Sequence, residues 1–329
     1  MRRMAILSFL FIFILITNVH GLTVVDDFGY VTVINETPKR IVSLAPSNTE
    51  ILFALGAGDR VVGVTDYCDY PPEVVEMKKA GLIASVGGYS TVNVEKVIAL
   101  NPDVVFAAYG NGREIIEVLK NYGIKVIALN PKNLEDVMRD IEIVGKVVGE
   151  EENATKLINW MESEIEKIRE KTKNYKRKPK IVHIIWNDPI WVSGNNTFAD
   201  DVIELAGGIN AFDDLEGWKI VSYEELITKD PDIIIVNSGS GMGGKRDILY
   251  EWALKDLSDL RAVKEGRVYV IDSDIIDRPS YRLIYALENI SKWVEEWESC
   301  QPSEEKIEKK APGFEIVLAL ACLYIARKI

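Results

Sequence analysis

The chain has 329 residues, a formal net charge of −12 and a hydrophobic fraction of 47%. This length and this apolar content suffice for two domains of ordinary size with large cores. The acidic balance argues against nucleic acid as a partner, because a basic face is needed to neutralise phosphates.

The first residues predict export. Met1-Arg2-Arg3 is basic, residues 5–16 are apolar except for Ser8, and small and polar residues follow. A charged start, a short apolar run and a small residue near the cut describe a secretory signal peptide, which we place at residues 1–21. The run is shorter than the roughly 20 residues that a spanning helix needs, and an uncleaved anchor is the alternative. No cysteine follows the run, so lipidation of a new N-terminal cysteine is not available.

A helix–strand pattern occurs twice in the body of the chain. Residues 93–106 read NVEKVIALNPDVVF, and residues 222–235 read SYEELITKDPDIII. In both segments a short predicted helix stops at Pro-Asp, because proline cannot continue a helix. A β-branched run without alternation follows, as in strands that are covered on both faces. The repeat predicts two similar α/β lobes with parallel sheets, at residues 22–149 and 178–299.

The segment between the two lobes predicts one long helix. Residues 150–177 are polar and free of Gly and Pro, and Leu157, Met161, Ile165 and Ile168 fall at helical spacing. The fold class that follows is α/β, with two Rossmann-like lobes joined by one backbone helix and a cleft between the lobes. A single stiff helix between the lobes predicts small hinge motions only.

The C-terminal segment, residues 300–329, predicts a second membrane signal. A charged stretch precedes Pro312-Gly313-Phe314, an apolar run follows, and Arg327-Lys328 closes it. The arrangement resembles the PGF-type C-terminal sorting signal of archaeal surface proteins, which implies removal of the tail and its replacement by a lipid anchor. A plain short C-terminal anchor is the alternative. Both readings tether the protein to the outer face of the cell membrane.

Histidine and cysteine are scarce, which limits the chemistry. Beyond the predicted signal peptide only His183 remains, inside a strand pattern, where a core role is expected. One histidine cannot supply a zinc site or the base of a triad, and no Gly-x-Ser-x-Gly elbow is present. Cys68 and Cys300 permit one disulfide without requiring it. The glycine-rich segment at residues 239–244 lacks the Gly-Lys-Ser/Thr ending of a phosphate loop, so we expect a flexible loop at the cleft edge.

Three segments resemble the helical-backbone class of ABC-importer binding proteins, which handle cobalamin, siderophores and haem. They are RIVSLAPSNTEILFALG at residues 40–56, VGVTDYCDYPP at 62–72 and LNPDVV at 100–105. The SNTE and DYPP segments are most similar to the cobalamin-binding branch. The resemblance extends from about residue 39 to about residue 298, and it implies that the ligand lies between the two lobes.

Loops after strands supply the candidate cleft residues. Aromatic walls suit a flat macrocycle such as a corrin, and the peripheral amides of a corrin need hydrogen-bond partners. The resemblance places four residues where the cobalamin branch has cleft residues: Trp191, Trp218, Asp274 and Arg278. The three tyrosines are candidates because they lie in loops that follow predicted strands. The ligand-binding candidates are therefore Tyr67, Tyr89, Tyr109, Trp191, Trp218, Asp274 and Arg278. The chain departs from the bacterial cobalamin pattern near Val86 and Ala108, where larger aromatic residues are expected.

Two glutamates are candidates for docking on the permease. The resemblance implies one surface glutamate per lobe that binds permease arginines, and Glu50 and Glu224 are assigned that role. Glu50 has a local interpretation as well, since Ser47-Asn48-Thr49-Glu50 fits a capping box. In the second lobe the capping residue is Glu225, which leaves Glu224 free to point outward.

We therefore expect an extracytoplasmic solute-binding protein of an ABC importer that captures cobalamin or a related corrinoid. A ferric siderophore, haem or another metal chelate is the alternative ligand. A surface enzyme that uses Asp274 with Asp277 as an acid–base pair is a remote alternative, and an adhesion protein is disfavoured. The expected partners are an ABC permease with its ATPase subunits and the membrane, while the protein itself is expected to be a monomer without catalytic residues, metal or cofactor.

Overall fold

The computed structural model describes residues 21–238 and 248–301. The predicted signal peptide up to residue 20, the glycine-rich loop and the C-terminal tail from residue 302 lie outside the described residues. Within the described ranges, no helix is long and apolar enough to cross a membrane.

The N-terminal lobe begins with an antiparallel hairpin and continues as a five-stranded sheet. Its strands are β1 (Leu22–Val25), β2 (Val31–Ile34), β3 (Ile41–Ser43), β4 (Val61–Val64), β5 (Ala84–Ser85), β6 (Val104–Ala108) and β7 (Val126–Leu129). Its helices are α1 (Pro46–Ala54), α2 (Pro72–Lys79), α3 (Val94–Ala99), α4 (Arg113–Asn121) and α5 (Leu134–Val148). The sheet order is β5-β4-β3-β6-β7, and every pair in it is parallel, as predicted.

The C-terminal lobe repeats this plan with one change. Its strands are β8 (Lys180–Asn187), β9 (Ile190–Ser193), β10 (Ile209–Asn210), β11 (Trp218–Val221), β12 (Ile233–Ser238) and β13 (Val268–Asp272). Strands β8, β12 and β13 are parallel, whereas β9 and β11 add an antiparallel edge. The expectation of a parallel sheet is wrong at that edge, because two residues between β8 and β9 are too few for a crossover and allow only a hairpin.

The remaining helices join the lobes and cover the second sheet. They are α6 (Glu151–Thr172), α7 (Phe198–Leu205), α8 (Tyr223–Lys229), α9 (Ile248–Asp256), α10 (Arg261–Lys264), α11 (Ser273–Ile276) and α12 (Leu283–Ser299). The linking helix α6 buries Met161, Ile165 and Ile168 in a core that includes Phe106 of one lobe and Ile235 of the other. A core that continues from lobe to lobe through α6 resists large hinge motions. The predicted α/β fold class with two lobes and one connecting helix is confirmed.

The duplicated segments occupy equivalent places in the two lobes. Helix α3 leads into β6, and α8 leads into β12, each strand lying next to the first strand of its sheet. Both helices begin at a capping side chain, Asn93 for α3 and Ser222 for α8. The predicted capping box of Ser222 and Glu225 is present.

Candidate functional site

Two cavities lie side by side between the lobes. The larger has a volume of about 450 Å³ and the smaller about 400 Å³. Tyr89 from the N-terminal lobe and Asp277 and Pro279 from the C-terminal lobe line both cavities and separate them. The N-terminal lining residues follow the carboxyl ends of the parallel strands, where open α/β sheets bind ligands.

The larger cavity has mainly aromatic walls. Tyr109 follows β6, Trp191 lies on β9 and Trp218 begins β11, and all three line this cavity with Tyr89. Phe198 supports Trp218, with ring centroids 5.3 Å apart. Tyr109 is 65% exposed, so its ring is available to an occupant of the cleft.

The smaller cavity is more polar and contains the other predicted residues. Tyr67 follows β4 and is 58% exposed, while Asp274 and Arg278 come from α11 and the residues after it. The Arg278 guanidinium makes an ion pair with Asp274 at 2.7 Å and another with Asp69 of the opposite lobe at 2.8 Å. The structure thus brings all seven predicted ligand-binding residues to the walls of the two cavities.

Glu50 does not lie on the surface, so its predicted docking position is wrong. Its side chain is completely inaccessible to solvent and accepts hydrogen bonds from three residues of the opposite lobe. The donors are Arg282 at 2.9 Å, Ser280 at 2.5 Å and Arg278 at 3.2 Å. Burial raises the pKa of the Glu50 carboxyl, and the charge of Arg282 offsets this only in part. Glu50 therefore joins the lobes beneath the cleft.

The predicted capping box at Ser47 is also wrong. Helix α1 begins at Pro46, and Ala45 is its N-cap residue without a side-chain hydrogen bond. Proline favours the first helical position because it has no amide hydrogen to satisfy. The helix therefore starts earlier than the capping-box interpretation requires, and Glu50 lies in the second turn, where it faces inward.

A buried chain of polar groups stands behind the wall that the two cavities share. Asn237 of β12 donates through Nδ2 to Asp277 Oδ2 at 2.5 Å and accepts at Oδ1 from His183 Nε2 at 2.8 Å. Burial lowers the pKa of His183 to about 4, so the imidazole is neutral near pH 7. The predicted core position of His183 is confirmed, and its bond to Asn237 assigns the proton to Nε2.

The Asp277 carboxyl is held in an environment that disfavours its charge. Its Oδ1 is buried without a hydrogen-bond partner among the described residues. Burial raises the pKa of Asp277 to about 7, and the nearby Asp274 carboxylate adds to the rise, while the Asn237 hydrogen bond opposes it. The side chain retains 23% exposure, which places a carboxyl that changes charge near neutral pH at the cleft wall.

Asp277→Asn is expected to change how stability depends on pH. A carboxyl whose pKa is raised on folding stabilises the fold fully below its unfolded pKa of about 4, and that contribution is lost as pH rises to about 7. The wild type should therefore lose free energy of unfolding relative to the variant between pH 4.5 and pH 7.5, by at most about 1.4 kcal/mol per pH unit. Urea denaturation at both pH values measures this difference. Asp256→Asn, at an exposed position, serves as the control. If the difference in free energy of unfolding between the wild type and Asp277→Asn does not vary with pH, the raised pKa of Asp277 is contradicted.

Sequence reasoning missed several lining residues. Asn130, Pro131 and Lys132 follow β7, and Phe198 follows the N-cap residue Thr197 of α7. Asn130 to Lys132 lie in a loop directly after a buried strand, which is the same signal that indicated the tyrosines. This loop was overlooked because it contains no aromatic residue. Val86 lies outside both cavities, whereas Ala108 lines the larger one.

The two duplicated helices begin at the two rims of the cleft. Tyr89 lies four residues before the N-cap Asn93 of α3, and Trp218 lies four residues before the N-cap Ser222 of α8. In the first turns of these helices, Glu95 and Glu224 occupy equivalent positions, seven residues before the proline that ends each segment. Both are exposed and form no ion pair with another described residue.

The cysteines and acidic residues provide no further site. Cys68 and Cys300 form no disulfide with each other, and Cys68 is buried beside Thr49 and Thr65. Among residues 21–238 and 248–301, no group of three or more His, Cys, Asp or Glu side chains is arranged to hold a metal ion.

Two α/β lobes that face each other across a cleft lined by both, joined by one helix, define the two-lobed ligand-binding proteins. The chain belongs to the periplasmic binding protein family, whose model matches residues 41–275. It is an extracytoplasmic substrate-binding protein of ABC transport.

Three relatives illustrate this membership. An uncharacterised ABC transporter substrate-binding lipoprotein, YvrC of Bacillus subtilis, is 35% identical over 285 residues, which cover 84% of this chain and 86% of the relative. The periplasmic vitamin B12-binding protein BtuF of Vibrio cholerae is similar in structure, with a TM-score of 0.69 and 26% identity over 80% of this chain and 98% of BtuF. The periplasmic haem-binding protein RhuT of Roseiflexus sp. RS-1 has a TM-score of 0.69 and 28% identity over 79% of this chain and 99% of RhuT.

Proposed function

We propose that the protein captures cobalamin or a related corrinoid in the cleft and delivers it to an ABC permease with its ATPase subunits. The observation that carries the ligand class is the pair of cavities, one with aromatic walls and one with a charged wall, which share Tyr89, Asp277 and Pro279 as lining residues. A corrinoid has a broad flat ring and polar side chains, and it uses both kinds of wall. The similarity to a vitamin B12-binding protein supports the same choice.

The predicted aromatic residues supply the contact area for the ring. Tyr109, Trp191 and Trp218 bring large, rigid side chains from both lobes to one cavity. Aromatic side chains bury a large area and stack well on flat groups. Asp274 and Arg278 supply polar groups in the adjoining cavity, where the amide side chains of a corrinoid need donors and acceptors.

Titration calorimetry with cyanocobalamin, haemin and a ferric hydroxamate tests the ligand. Cyanocobalamin should bind most tightly, and Trp218→Ala should weaken it by about 10-fold to 100-fold, because one ring face loses its support. Trp293→Ala is the matched control, since Trp293 stacks on Tyr269 outside both cavities. If haemin or the hydroxamate binds more tightly than cyanocobalamin, that ligand replaces the corrinoid in the proposal. If none of the three binds, the proposed ligand class is contradicted.

We further propose that Glu224 and Glu95 are the docking residues for the permease, with Glu95 in place of the buried Glu50. The support is the equivalence of the two positions in the repeat and their exposure at the two rims of the cleft. A carboxylate at each rim matches an arginine on each half of a permease at the same time.

The tether is proposed from the sequence together with one relative. The apolar tail behind Pro312-Gly313-Phe314 supplies an anchor, by sorting and lipidation or as an intact segment. YvrC, the Bacillus subtilis relative, is a lipoprotein. Phase partitioning of the native protein in detergent, compared with a chain truncated after residue 301, tests the anchor, and equal partitioning of the two would count against it.

A further inference from the structure

The larger cavity contains one cation, Lys132, which follows β7 in the N-terminal lobe. Among the described residues that line this cavity, Lys132 and Asp277 are the only two with a Lys, Arg, Asp, Glu or His side chain. The remaining walls are aromatic, aliphatic or uncharged polar groups. A charged group that lines a mainly apolar cavity fixes the orientation of a ligand and contributes specificity.

The ammonium group of Lys132 has no carboxylate partner among the described residues. Its neighbour is the ring of Tyr109, whose centroid lies 5.3 Å from Nζ. The acid that contacts the Lys132 residue is Asp136, but its Oδ2 accepts from the backbone N–H of Lys132 at 2.9 Å and its Oδ1 accepts from Arg139 at 2.6 Å. Asp136 therefore fixes the backbone of Lys132 and leaves the side chain to the cavity.

The acid in the same cavity does not neutralise Lys132. Asp277 forms no ion pair with it, and Asp277 Oδ2 is occupied by Asn237. Burial raises the pKa of Asp277 to about 7, so below neutral pH the cavity has a net positive charge. An apolar cavity with one unpaired cation favours a flat ligand with an anionic substituent.

We propose that Lys132 is a specificity-determining residue that binds an anionic substituent, a phosphodiester or a carboxylate, on a flat ligand held by Tyr109, Trp191 and Trp218. This inference rests on the proposed capture of a flat chelate in the cleft and adds the charge that the ligand must have. Lys132 reaches the substituent from the N-terminal lobe, while the tryptophans hold the ring from the C-terminal lobe.

Two pairs of ligands that differ in their anionic groups identify the source of the charge. Cyanocobalamin has a phosphodiester that dicyanocobinamide lacks, and haemin has carboxylates that its dimethyl ester lacks. In the pair that the protein binds, Lys132→Gln should weaken the affinity for the anionic member by about 10-fold to 100-fold and leave the affinity for the other member nearly unchanged. Lys132→Arg should retain most of the preference. Lys120→Gln is the matched control, because Lys120 lies over the ring of Tyr30 at 4.4 Å but lines neither cavity.

A third pair tests Lys132 whatever the natural ligand is. The flat probe 8-anilino-1-naphthalenesulfonate differs from N-phenyl-1-naphthylamine by its sulfonate, and their displacement or fluorescence titration gives the preference for the anion. If the wild type binds neither corrinoid nor haem, the proposed ligand class fails while this pair still measures the role of Lys132. An anion preference that Lys132→Gln leaves unchanged in every pair overturns the proposal, as does an equal weakening of charged and neutral members.

Discussion

Glu50→Ala is expected to lower the free energy of unfolding by about 3–5 kcal/mol, because it removes one partner of a buried ion pair. The Glu50 carboxylate is fully buried and accepts hydrogen bonds from Arg282, Arg278 and Ser280 of the opposite lobe. Arg278 keeps Asp69 and Asp274 as partners after the change. Among the described residues, the Arg282 guanidinium then keeps only its position over the Tyr70 ring, with 3.9 Å between its Cζ and the ring centroid. The cost therefore comes mainly from a buried guanidinium that has lost its counter-charge.

Urea denaturation monitored by tryptophan fluorescence measures the effect. The exposed Glu166→Ala on α6 is the control and should change the free energy of unfolding by less than about 0.5 kcal/mol. Glu50→Gln keeps an acceptor for Ser280 and should lie between the two. A double-mutant cycle with Arg282→Met should give a coupling energy of about 1–3 kcal/mol. A loss below about 1 kcal/mol for Glu50→Ala would show that the ion pair does not hold the lobes together.

The sequence predicts the architecture well because the signals are local and repeated. A helix, a Pro-Asp stop and a β-branched strand appear twice, and each copy forms the predicted helix and strand, α3 with β6 and α8 with β12. The parallel order of the N-terminal sheet follows from strands that alternate with helices. The antiparallel edge of the other sheet depends on one short connection between β8 and β9, which a pattern of apolar runs does not show.

The site is predicted less completely, because its contacts join distant parts of the chain. Glu50 meets Arg278 and Arg282 across more than 200 residues, and nothing near Glu50 in the sequence indicates that pairing. The local spacing from Ser47 to Glu50 instead fits a capping box. Lys132 was missed for a similar reason, since only the folded chain places its ammonium over the ring of Tyr109 in a cavity with aromatic walls.

The internal repeat supports a different pair of docking candidates from the pair that includes Glu50. Residues seven positions before Pro102 and Pro231 are Glu95 and Glu224, so the symmetry of the chain selects this pair. Because α3 and α8 run back along the strands that they precede, their first turns lie at the carboxyl ends of those strands, beside the cleft. A buried glutamate that joins two lobes and an exposed glutamate that binds a partner are different roles, and the structure assigns Glu50 to the first.

Replacing both Glu95 and Glu224 by alanine is expected to abolish ligand delivery while leaving ligand affinity unchanged. A docking carboxylate that forms charge-assisted hydrogen bonds with an arginine loses about 2–5 kcal/mol when it is truncated, and each single variant should therefore retain partial transport. The fold should tolerate the change, since an exposed acid in the first turn of a helix contributes about 0.3–1 kcal/mol. Uptake into vesicles that contain the permease and ATPase, measured beside solution affinity for the same ligand, separates delivery from capture. The control is Glu162→Ala with Glu166→Ala, which removes two exposed glutamates from α6 and changes the net charge equally. Full uptake with the Glu95 and Glu224 double variant would exclude these rims as the docking surface, whereas a matching loss of ligand affinity would place the two glutamates in the cleft itself.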